Sequence, residues 1–252
     1  MKFIDLSTTI QNSPEKEQDA LKTGIRYIDH KEGAAQIQAM FGVSPELLRD
    51  GEGWAVEEFT KFGTHNSTHV DAPWHYNSTI GGEPAATIDE LPLDLFFSDG
   101  FVLDITSKAD GDAMTVAEVE AELARIGYEI QPKDIVLVKT GRDEFIDRPD
   151  YALRGPGVTA EATRWLYEKG VRVMGIDAWG WDAPLHMQAQ KALTEKKKGI
   201  FWEAHQADLP YSQIERLVNL DSLQPHGFKV ACFPLKIKRG SAAPARVVAI
   251  VG

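Results

Sequence analysis

The run Phe101-Val102-Leu103-Asp104-Ile105 is apolar and of strand length. Thr115-Val116-Ala117-Glu118 follows it. A threonine with a glutamate three residues on is capping-box chemistry, so a helix is expected from here to about Ile126. Ile135-Val136-Leu137-Val138 reads as the next strand, Thr159 starts a helix reaching about Lys169, and Val171-Arg172-Val173-Met174-Gly175 reads as a third strand. Alternation of strand and helix implies neighbouring parallel strands joined by helical crossovers, the mark of an α/β protein. Towards the C-terminus, Phe228 to Ile237 and Arg246 to Val251 read as an antiparallel pair joined by a turn from Gly240 to Pro244. Residues 11–50 read as loop plus one or two short helices, including Pro45-Glu46-Leu47-Leu48.

At 252 residues the chain is long enough for a well-buried core. Hydrophobic content of 43% and charged content of 26% are those of an ordinary globular protein. A net charge of -11 argues against a nucleic-acid partner, which demands clustered Lys and Arg. Lys196-Lys197-Lys198 is short, flanked by Glu195 and Glu203, and reads as a solvated turn. No window approaches the roughly 20 apolar residues of a membrane span. Met1 to Ser7 lacks the apolar region of a secretory leader. Cys232 is the sole cysteine and sits in an apolar run, which suits an inert core thiol. The cytoplasm is the expected compartment.

His65-Asn66-Ser67-Thr68-His69-Val70-Asp71-Ala72-Pro73-Trp74-His75 gathers three of the seven histidines and one carboxylate. Neutral imidazoles and ionised carboxylates are the usual ligands of zinc-like ions. A helix would turn Asp71 about 200° away from His69. A straight strand would set His65 roughly 13 Å from His69. The segment is therefore expected to bend between His65 and His69 and to run extended through Asp71, with Asn66, Ser67 and Thr68 suited to the bend. Pro73 removes a backbone donor and ends regular pairing.

Two further groups stand where ligands bind in open parallel sheets. Asp177-Ala178-Trp179-Gly180-Trp181-Asp182 follows the carboxyl end of the third central strand. With Trp54, Trp74 and Trp202, Trp179 and Trp181 are expected to wall a pocket for a flat or cyclic substrate. His205 and Glu215 lie ten apart; read alone, they are a cap and a solvated helix residue. Gly155-Pro156-Gly157-Val158-Thr159-Ala160 fits a loose dinucleotide pattern but follows a polar loop rather than a strand, and is rejected.

The histidine cluster resembles that of the cyclase-like metal hydrolases, a family with bacterial kynurenine formamidase, isatin hydrolase and a trans-dienelactone hydrolase. His65 to His75 matches the family pattern His-x-Gly-Thr-His-x-Asp-x-Pro-x-His except that Ser67 replaces the glycine. The resemblance extends to Ile4-Asp5-Leu6-Ser7 and to His205 with Glu215 to Asp221. It implies one domain over residues 1–252, a swivelling β/β/α fold with a mixed sheet, and a homodimer or homotetramer. It also implies that His65, His69 and Asp71 hold a first divalent ion. Asp71 would bridge to a second ion, completed by His205 and Glu215, and His75 would be the acid/base. Zinc is expected, with manganese as the alternative and one or two ions per chain.

The expected activity is metal-assisted hydrolysis of an amide, cyclic imide or lactone. Two rival readings remain at this level. His69 and Asp71 are two-thirds of a non-haem iron triad, with His186 or His205 as the third ligand. A structural zinc site is the other, although one cysteine suits it poorly.

Overall fold

The computed structural model describes residues 1–14 and 21–252. They fall into two compact units, Met1–Thr9 with Ser67–Gly252, and Ile10–Asn66.

The larger unit is built on a nine-stranded mixed sheet. Its strands are β1 (Lys2–Asp5), β2 (His69–Asp71), β3 (Phe97–Asp104), β4 (Ile135–Lys139), β5 (Val173–Ile176), β6 (Ser212–Glu215), β7 (His226–Ala231), β8 (Ala242–Pro244) and β9 (Val248–Val251). The spatial order is β1-β9-β7-β3-β4-β5-β6-β2-β8. The four central strands β3, β4, β5 and β6 are parallel, and the other pairings within this sheet are antiparallel.

The expected alternation of strands and helices is present. Among the helices, numbered along the chain, α1 (His30–Phe41) belongs to the smaller unit and α2 (Pro73–Tyr76) is a single turn beside β2. The crossover helices are α3 (Val116–Ile126) between β3 and β4, α4 (Ala160–Glu168) between β4 and β5, and α5 (Leu185–Glu195) between β5 and β6. Thr115 caps α3 through both halves of the capping box, and Gly127, left-handed at φ 65°, closes it. Strand residues alternate between two cores. Phe101, Leu103, Val136, Val138, Met174 and Ile176 pack with Val119 and Leu123 of α3 and Leu166 of α4. Val102, Ile135, Leu137, Val173 and Ile214 pack on the opposite face with Leu6, Val70 and Ala249.

Strands β7 and β9 pair as expected, but the link between them is not a plain turn. Ala242–Pro244 forms the edge strand β8 against β2. Two alanines and a proline carry little strand propensity, and proline is tolerated because an edge strand has a side without a partner. Glu215 ends a buried strand rather than sitting in a helix, and the chain turns at Arg216 with φ 60°.

The smaller unit carries α1, a 3-10 turn at Pro45–Leu47 and an antiparallel pair, Gly24–Ile28 with Val56–Lys61. The helix and turn match expectation, whereas the strand pair was not anticipated. Residues 15–20 of the 11–50 stretch lie outside the described residues. Among the described residues, no helix is long and apolar enough to cross a membrane.

Candidate metal centre

Strand register assembles the site. In the antiparallel β6–β2 pair, Glu215 lies opposite His69, Gln213 opposite Asp71, and Ile214 opposite Val70. Period-2 alternation sends Val70 and Ile214 into one core and leaves His69, Asp71, Gln213 and Glu215 together on the other face. Beside them β8 presents Ala242 to Asp71 and Pro244 to His69, small residues that leave the face unobstructed. The chain does bend before β2: residues 64–68 are turn and bend, and His69–Asp71 is extended. Ser67 is not at positive φ, so this backbone accepts a side chain where the family pattern has glycine.

His69, Asp71 and Glu215 are all buried, and each offers a ligand atom within 4.8 Å of the others. His69 Nε2 lies 3.2 Å from Asp71 Oδ1 and 3.6 Å from Glu215 Oε2. Its Nδ1 donates to the Ser67 carbonyl at 2.7 Å, which fixes the tautomer and leaves Nε2 turned to the carboxylates. Burial works against a charged His69, yet the Asp71 and Glu215 carboxylates outweigh it and raise its pKa above the usual imidazole value. His205 Nε2 is 3.5 Å from Glu215 Oε1, so Glu215 stands between the two imidazoles. Here too burial opposes the charge, but Asp182 and Glu215 push the pKa up to about 10.

Two buried carboxylates beside the His69 imidazole, with His205 against one of them, set up a field that favours positive charge. Carboxylates are costly to bury unless neutralised. This oxygen-and-nitrogen donor set fits a zinc-like divalent ion.

The remaining candidate residues fall in different places. His65 lies at the end of the Ile10–Asn66 unit, half-buried in a turn four residues before His69. His75 is half-buried at the end of α2; its ring meets Trp202 edge-on at 5.0 Å and lies 5.9 Å from the His205 ring. Trp202 stacks on His205 at 4.4 Å and 15°. Trp74 is exposed, and Trp179 is half-buried with the Arg216 guanidinium 5.1 Å from its ring centre. Trp181 is fully buried among core residues, its indole N–H donating to Thr163. Its backbone N–H instead donates to Glu215 Oε1 at 2.9 Å. Trp54 belongs to the smaller unit, and His186 is exposed on α5. Cys232 is buried, which pushes its thiol pKa up.

Sequence reasoning gave no role to Asp182 or Gln213. Asp182 contacts a histidine 23 residues away, a separation with no periodic signature. Gln213 joins the site through its cross-strand position opposite Asp71.

Comparison with known proteins gives the family and the fold. Residues 4–183 match the family model described as "Putative cyclase". The chain is 28% identical over 202 residues to isatin hydrolase of Roseibium aggregatum, covering 75% of this chain and 72% of that protein. It is 28% identical over 197 residues to kynurenine formamidase of Salinibacter ruber, covering 75% and 76%. Among solved structures, isatin hydrolase A from Ralstonia solanacearum superposes with a TM-score of 0.76 at 23% identity, over 100% of this chain and 92% of that one. A potential metal-dependent hydrolase with cyclase activity matches with a TM-score of 0.62 at 21% identity, over 98% and 96%. The mixed α/β fold is that of the isatin hydrolases.

Proposed function

The chain belongs to the cyclase family, and from that premise we propose that it is a metal-dependent hydrolase opening an amide, cyclic imide or lactone. The carrying observation is the buried convergence of His69, Asp71 and Glu215 within 4.8 Å. In this reading His65, His69 and Asp71 would hold one ion, zinc or alternatively manganese, and Asp71, His205 and Glu215 would hold a second. The support for His65 is its place in the motif. When bound, such an ion makes water a usable nucleophile near neutral pH and polarises a carbonyl.

The chain's own residues do the rest. His75 takes a proton from the attacking water at an imidazole nitrogen and returns it to the leaving nitrogen or oxygen. Trp202, packed against both His75 and His205, shields that side of the site from solvent. Trp74 and Trp179 offer aromatic surface to a flat or cyclic substrate. A single 1–252 hydrolase domain, assembly as a homodimer or homotetramer, and a cytoplasmic location complete the proposal. The last is supported by the lone, buried Cys232.

The test is elemental analysis of the purified protein together with a hydrolysis screen of N-formyl aromatic amides, cyclic imides and lactones. At least one equivalent of zinc or manganese is expected, with turnover of one class that disappears on chelation. A protein that takes up no divalent ion and hydrolyses none of the three classes would overturn the reading.

A further inference from the structure

Asp182 is buried, and among the described residues the hydrogen bonds to its carboxylate come from one dipeptide, Ala204-His205, of the loop preceding β6. Oδ1 accepts the Ala204 N–H at 2.9 Å. Oδ2 accepts the His205 N–H at 3.1 Å and the His205 ring Nδ1–H at 2.5 Å. The adjoining Trp181 N–H holds Glu215 Oε1. Trp181-Asp182 thus grips both His205 and Glu215. The backbone here is closely packed: a Cβ at Gly157 would fall 2.5 Å from the Asp182 carbonyl carbon and 2.2 Å from the Ala183 nitrogen. The two imidazoles are backed differently. His69 donates its Nδ1–H to a neutral backbone carbonyl, whereas His205 donates to a carboxylate, a stronger, charge-assisted acceptor.

We propose that Asp182 is a positioning residue for the metal centre: its carboxylate fixes His205 as the Nδ1–H tautomer with Nε2 facing Glu215, and so sets the affinity of the ion held by His205 and Glu215. The inference rests on the metal-hydrolase reading above. A carboxylate behind a ligating imidazole locks its tautomer and ring orientation and makes the free nitrogen more basic. Asp182 does this without touching the ion or the substrate. An asparagine in its place keeps a carbonyl oxygen for the Ala204 N–H, but its amide cannot supply a second acceptor and the negative charge is gone.

Zinc affinity is measured by chelator competition for the wild type, Asp182→Asn, His205→Ala and the double variant. Asp182→Asn is expected to weaken the His205-dependent ion by about 10–100-fold. In the His205→Ala background the same change is expected to add nothing, because the effect passes through that ring. Unchanged affinity in Asp182→Asn, or an equal further loss in the double variant, overturns the proposal. A second measurement needs no variant to fold: 15N–1H correlation spectra of histidine-labelled, zinc-loaded wild type should show His205 protonated on Nδ1, and protonation on Nε2 overturns it. If His205→Ala binds zinc as the wild type does, the positioning role fails while the hydrolase reading through His69 and Asp71 survives. If the wild type binds no zinc, both fail together.

Discussion

Glu215 faces His69 directly across the antiparallel β6–β2 pair, its Oε2 3.6 Å from the imidazole Nε2. With Nδ1 committed to the Ser67 carbonyl, the neutral ring turns a lone pair towards a carboxylate, an arrangement stable only with a proton or a cation between them. Glu215→Gln keeps an oxygen for the Trp181 N–H and removes the charge. Metal affinity should fall at least about tenfold and hydrolysis with it. Elemental analysis after dialysis against limiting zinc checks this, and retention of wild-type metal content would remove Glu215 from the centre.

His75 is the candidate whose loss should separate binding from chemistry. His75→Ala is expected to retain wild-type zinc and to lose roughly 10²–10⁴-fold in kcat, the usual worth of a general acid/base. His69→Ala should lose both metal and turnover. Normal kcat in a zinc-replete His75→Ala enzyme would exclude the role.

Asp177, at the end of β5, is ionisable inside the core. Burial raises its pKa to about 6, although the Thr140 N–H, Thr140 hydroxyl and Gly141 N–H all donate to it. With the folded value above the unfolded one, the stabilisation is complete below about pH 4 and is lost as pH rises through 6. Relative to wild type, Asp177→Asn should therefore be most destabilised near pH 4. It should gain up to about 3 kcal/mol on the wild type by pH 7. Urea denaturation of both proteins at each pH gives the difference, and a pH-independent gap would show that Asp177 titrates normally.

Ile214 is fully buried and packs on the face away from its sequence neighbours Gln213 and Glu215. Ile214→Ala should cost about 2–5 kcal/mol and Ile214→Val about 0.5–1.5 kcal/mol. Chemical denaturation measures both. Equal losses would show that the cost does not follow the apolar volume removed, against a packed core position.

Local signals were legible. Thr115 and Glu118 announced α3, and the apolar runs at Phe101, Ile135 and Val173 announced the parallel centre, because those strands are buried on both faces. The bend before His69 followed from ligand spacing alone. What could not be read depends on pairing between distant segments. Glu215 carries a helical-looking pattern, Ile214 to Leu220, that sheet pairing overrides. Ala242–Pro244 becomes a strand only because β2 offers it an edge. The partner of the Trp181 indole, the Thr163 hydroxyl 18 residues away on α4, likewise has no signature in the sequence.

The cross-strand register of β2 with β6 and β8 also has a consequence for synthesis on the ribosome. Residues 69–71 emerge early, but their neighbours lie at 212–215 and 242–244. A nascent chain therefore exposes His69 and Asp71 long before anything can enclose them, and contacts so distant in sequence form slowly. The cluster of His69, Asp71 and Glu215 can close only after residue 215 has emerged, and a product cut short before residue 205 would carry the histidine motif without its partner strand.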